Sequence, residues 1–138
     1  MTVPQSKEAR FFYRCALQRF DEARVLLDAD RTTGAVYLAG YGVECMLKAL
    51  ILSAVPPSRT YSVLQTFRGH RAHDFQWLRD EYRLNGGAHP PREVNRCFTL
   101  VDRWSTEMRY SPGNIKERDA ERFFEAAQVI LGWSDGRL

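Results

Sequence analysis

Gly34–Leu52 reads GAVYLAGYGVECMLKALIL, and Glu44 and Lys48 are its only charges. A helix apolar on every side is normally buried by its neighbours, so each face needs a covering element. Burying an ionised group is costly unless it is paired and hydrogen-bonded. The segment therefore predicts a helical bundle wrapped around it, with a polar site near Glu44 and Lys48. Its length suits a membrane span, but two charges near its middle and the polar remainder of the chain argue against one.

Outward from this helix, apolar residues recur at helical spacing. Ser6 is a candidate N-cap for a first helix that carries Phe12, Ala16, Phe20, Ala23 and Leu27 on one face and runs to about Asp28. Asp30-Arg31-Thr32-Thr33 turns the chain, with Thr32 or Thr33 as cap of the central helix. That helix runs to about Ser53, and Pro56-Pro57 marks its end. Residues 55–70 read as a connection with a short turn around Tyr61–Thr66. A third helix spans Asp74–Leu84 and is stopped by Asn85-Gly86-Gly87. Pro90-Pro91 opens a fourth, with Val94, Phe98, Val101, Trp104 or Ser105, and Met108 on its face. Asp119 is the expected cap of a fifth, which carries Phe123, Ala126, Ala127, Ile130 and Leu131 to about Trp133. No segment alternates with period two. The expectation is one domain over residues 1–138: an all-α, antiparallel up-and-down bundle of four long helices and one short one.

Composition narrows the function classes. A net charge of +3 permits contact with nucleic acid or an acidic partner without requiring it. The basic residues are nearly all arginine, the better side chain for bidentate contact with phosphate or carboxylate, although a GC-rich genome gives the same bias. Cys15, Cys45 and Cys97 have neither zinc spacing nor a paired framework, so buried free thiols are expected. The start of the chain lacks the apolar core of a signal peptide, and a cytoplasmic location is expected.

Four motifs occur in order: Phe20–Leu27 (FDEARVLL), Val43–Leu50 (VECMLKAL) within Gly34–Ile51, His73-Asp74-Phe75, and Arg109-Tyr110-Ser111-Pro112. Together they resemble the HEPN domain family, in particular its small stand-alone members found beside minimal nucleotidyltransferases. The resemblance implies a helical-bundle binding module, commonly a homodimer, that contacts a nucleotide, RNA or a nucleotidyltransferase partner, in a toxin–antitoxin or defence unit. It implies no metal and no cofactor. Many members are metal-independent endoribonucleases marked by Arg-x(4–6)-His, in which Arg polarises the phosphate and His moves a proton. That spacing occurs here as Arg68…His73 and Arg83…His89, which are the candidate catalytic pairs. No histidine follows Arg109, where the nuclease branch would carry one.

The candidate ligand-binding residues are Glu44, Lys48, Arg109, Tyr110 and Tyr41. Glu44 and Lys48 stand at i and i+4, as an intrahelical pair would. The alternatives are Glu44 paired with Arg109 across the bundle, leaving Lys48 to face a cleft, or burial of both without a site. Arg109-Tyr110 offers charge and a stacking ring, or a structural contact at a helix end. Tyr37 and Tyr41, one turn apart, form either a slot for a base or part of the core. His70, His73 and Asp74 read as a metal cluster or, more plainly, as a helix cap. Trp77, Trp104 and Trp133 fall on different helices and suit either internal packing or a dimer interface.

Overall fold

The computed structural model describes residues 4–138, and it is all-α with no strand among the described residues. Its helices are α1 (Lys7–Asp28), α2 (Thr32–Ala54), α3 (Thr60–Thr66), α4 (Phe75–Leu84), α5 (Arg92–Val101) and α6 (Glu117–Asp135). Short 3₁₀ turns at Pro57–Arg59, His70–His73 and Thr106–Tyr110 join them.

The Ser6 hydroxyl caps α1 by accepting the Ala9 amide at 3.2 Å. At the other end Asp30 adopts φ 60°, and the Asp30 and Arg31 amides donate to Leu27 and Leu26 carbonyls. This left-handed stop reverses the chain within three residues, so α1 and α2 form an antiparallel hairpin. α1 buries small residues, Ala9, Ala16 and Ala23, beside Tyr13. Close approach follows: a methyl at Gly42 would lie 3.3 Å from the Ala16 carbonyl oxygen.

α2 is buried nearly all round, with α1, α4 and α6 packed on it and α5 packed on α6. It is long and apolar enough to cross a membrane, yet most of that surface is covered inside the protein. The Tyr13 hydroxyl donates to Asp135 at 3.0 Å and ties α1 to the end of α6.

Four expectations need correction. Thr32 and Thr33 do not cap α2. Thr32 donates to the Ile115 carbonyl at 2.6 Å, while Thr33 donates to Gly113 and accepts from the Ile115 amide, so both pin the loop before α6. Asp119 lies inside the first turn of α6, where its charge favours the helix dipole, and Lys116 occupies the cap position. The turn around Tyr61–Thr66 is a seven-residue helix. Finally, the fourth helix stops at Val101 and not at Met108, leaving three long helices of 22, 23 and 19 residues and two of ten.

The last correction has an identifiable cause. Trp104 leaves the α5 path to stack on Phe75, with ring centroids 5.2 Å apart, and its indole N–H donates to the Tyr37 carbonyl at 3.1 Å. A helix continued through residue 104 would give up that site. Gly40 makes the room, because a methyl there would lie 2.0 Å from the indole nitrogen. Gly40→Ala is therefore expected to displace Trp104 and lower stability by about 1–3 kcal/mol from overpacking alone. Urea unfolding followed by tryptophan fluorescence checks this; an unchanged midpoint would refute the contact.

Candidate functional site

Tyr37, Tyr41, Glu44 and Lys48 recur every three or four residues along α2 and so share one face of it. This is the only polar stripe on a helix that is otherwise apolar, and each member meets a specific partner. Glu44 and Lys48 are buried, at 4% and 5% exposure. The Lys48 ammonium donates to Glu44 Oε2 at 2.8 Å and lies over the rings of Phe67 and Phe12, 5.3 and 5.8 Å from their centroids. The second carboxylate oxygen, Oε1, is 2.8 Å from His73 Nδ1.

Glu44 thus reaches His73, not Arg109, and Lys48 faces two phenyl rings instead of a cleft. The i,i+4 pair is formed, and the proposed cross-bundle partner is replaced. With Glu44 accepting at Nδ1, the His73 ring presents Nε2 outward, and its side chain is 42% exposed. Asp74 caps α4 through the Gln76 and Trp77 amides at 2.8 and 3.1 Å. His73 and Asp74 are therefore engaged in separate contacts, and no group of metal-ligating side chains occurs among the described residues.

The upper part of the stripe is aromatic. The Tyr37 and Tyr41 hydroxyls are 3.3 Å apart, Trp104 packs against both rings, and Tyr41 meets the edge of His73. Both tyrosines are half-buried, which makes them the rim of the core and not an open slot. Burial, the hydrogen bond with Tyr37 and the Glu44 charge push the Tyr41 phenol's pKa well above 10, with Arg109 opposing. Arg109 and Tyr110 are exposed on the adjoining 3₁₀ turn, the guanidinium 4.9 Å from the centre of the Tyr110 ring. Tyr110 and then Tyr37 raise the Arg109 pKa.

The two Arg/His pairs behave differently. Arg83 and His89 meet, Nη1 to Nδ1 at 3.2 Å, beside a cavity of about 180 Å³ between α4 and α5. Arg68 and His73 do not, because His73 turns inward to Glu44 while Arg68 projects to solvent. The cysteines are free but half-buried, less enclosed than expected. Burial first, then Glu44, pushes the Cys45 thiol up to about 12.

One surface has no signature local to any stretch of the sequence. A groove of about 660 Å³ lies among α2, α5, α6 and the Thr106–Tyr110 turn, with Leu100, Met108 and Phe123 in its floor and Arg96, Arg103 and Arg122 on its rims. Arg96 and Leu100 share a face of α5 and Arg103 lies just past its end, but only the pairing of α5 with α6 reveals the groove.

Removing the Glu44 carboxylate strands a buried ammonium, so Glu44→Ala is expected to destabilise by about 3–5 kcal/mol. The apolar pair Glu44→Leu, Lys48→Met is expected to recover most of that loss. Denaturant unfolding of the three proteins checks it, and equal losses in single and double variants would contradict the pairing. For Tyr41 the sign runs toward alkaline instability. A phenol whose folded pKa lies above 10 contributes stability below pH 10 and loses it as pH rises through the folded value. Wild type is expected to weaken more steeply than Tyr41→Phe above pH 10, followed by phenolate absorbance and unfolding midpoint.

Comparison with known families agrees with this geometry. The HEPN domain model matches residues 9–137, from the first turn of α1 to just past the end of α6. No curated protein and no solved structure matches the chain. The match covers almost the whole sequence and contains all four motifs, including the Glu44 helix and the His73-Asp74-Phe75 start of α4. The chain belongs to the HEPN domain family.

Proposed function

We propose that this protein is a binding module that receives a nucleotide or RNA at the Arg109–Tyr110 face. The observation that carries the proposal is the pairing of an exposed guanidinium with an exposed aromatic ring. Tyr110 is 75% exposed, and Arg109 lies over its face. Such a pair supplies the two contacts that single-stranded nucleic acid uses, charge for phosphate and a flat ring for a base. His73 Nε2 and the Tyr41 rim add polar groups on the stripe below, and the buried Glu44–Lys48 pair supports them without touching the ligand. The family resemblance adds the setting: a cytoplasmic homodimer working beside a nucleotidyltransferase partner, in a toxin–antitoxin or defence unit.

A ribonuclease is the second reading, and two contacts favour it. Arg83 and His89 stand 3.2 Å apart, and the Glu44 carboxylate orients His73 as a carboxylate orients a general base.

Binding of labelled oligoribonucleotide and of ATP, read by fluorescence anisotropy and calorimetry, separates the outcomes. Tyr110→Ala is expected to weaken binding by about 1–3 kcal/mol, the range for loss of one stacked base, and Arg109→Ala to weaken it and flatten its salt dependence. Unchanged affinity in both would remove the site. RNA cleaved in EDTA by wild type, but not by the His73→Ala, His89→Ala double variant, would replace the binding module with the enzyme.

A further inference from the structure

We infer that the groove between α5 and α6 is a docking site for an acidic amphipathic helix of a partner protein. Arg96 rises from α5, and Arg103 from the turn just past the last residue of that helix, Val101. Arg122 rises from α6 on the opposite rim. All three are exposed, and among the described residues none has an acid within ion-pair distance. Between the rims lies an apolar floor that includes Leu100 and Phe123.

Charge and spacing select the occupant. The guanidiniums stand on different elements, α5 with its following turn and α6, so they flank the floor and suit carboxylates along both edges of a facing helix. Trp104 and Phe123 are buried, so the groove offers no open ring on which a base would stack. An apolar floor between charged rims is the arrangement that receives a helix with an apolar stripe flanked by acids. Asp119, at the α6 end of the groove, is the one acid in its lining and disfavours a partner carboxylate there, which sets the direction of the docked helix. The groove adjoins the Arg109–Tyr110 face through Met108 of the same turn, but neither Arg109 nor Tyr110 lines it, and docking here does not depend on the function proposed for that face.

The test uses the full-length protein and a synthetic labelled helical peptide of about four turns, with leucines on one stripe and glutamates along both edges. Comparison probes are the same composition scrambled, the same helix with lysine for glutamate, and a single-stranded oligoribonucleotide. The acidic amphipathic helix is expected to bind at least about tenfold more tightly than either peptide control. Arg103→Glu with Arg122→Glu is expected to abolish that preference, while Arg109→Ala leaves it unchanged. Because these arginines are exposed, an unaltered melting temperature confirms that the variants fold. Equal binding of the scrambled peptide, unaltered binding by the double variant, or oligoribonucleotide competing from the same groove would each overturn the inference.

Discussion

The Glu44 carboxylate stands 2.8 Å from both the Lys48 ammonium and His73 Nδ1, inside a helix that the rest of the chain must cover. Charges buried at that depth survive only when paired, since desolvation of either one alone outweighs what an apolar neighbour returns. The pairing fixes the rotation of α2. With Glu44 aimed at His73, the start of α4 must lie over that face, and the Phe12 and Phe67 rings close on the ammonium from the other side. The remaining faces of α2 carry alanine, glycine and leucine, and they accept α1 and α6 by close packing.

Trp104 is the second organising residue. Its indole fills the space that Gly40 leaves open and stacks on Phe75, which ends α5 at Val101. Everything displayed beyond that point depends on this early exit. The chain continues as the Thr106–Tyr110 turn, which carries Met108 into the groove and Arg109 and Tyr110 to the surface. Thr32 and Thr33 then anchor the following loop by three hydrogen bonds, so α6 starts in a set position. The groove is lined by this same buried tryptophan.

Much of this was legible in order along the chain. Ser6, Asp74 and the Asn85-Gly86-Gly87 stop were visible because caps and stops act through their own backbone neighbours. The Glu44–Lys48 pair was visible for the same reason, being one helical turn long. Glu44 and His73 are separated by 29 residues, and no local rule connects them. By charge alone, Arg109 is the cross-bundle partner that the sequence offers. Trp104 and Met108 continue the apolar period of the fourth helix, although the chain has left that helix before it reaches either residue.

The apolar length of Gly34–Leu52 and its single charge pair determined by themselves that the chain would be a helical bundle around a covered centre, since an all-round apolar helix has no other way to leave water. The ordered motifs determined the family. Which base or imidazole answers Glu44, where α5 ends, and which arginines line a common groove were decided only by tertiary structure. Those outcomes are settled by competition among distant side chains for one buried space, and the positions of such competitors are set by packing and not by their order in the sequence.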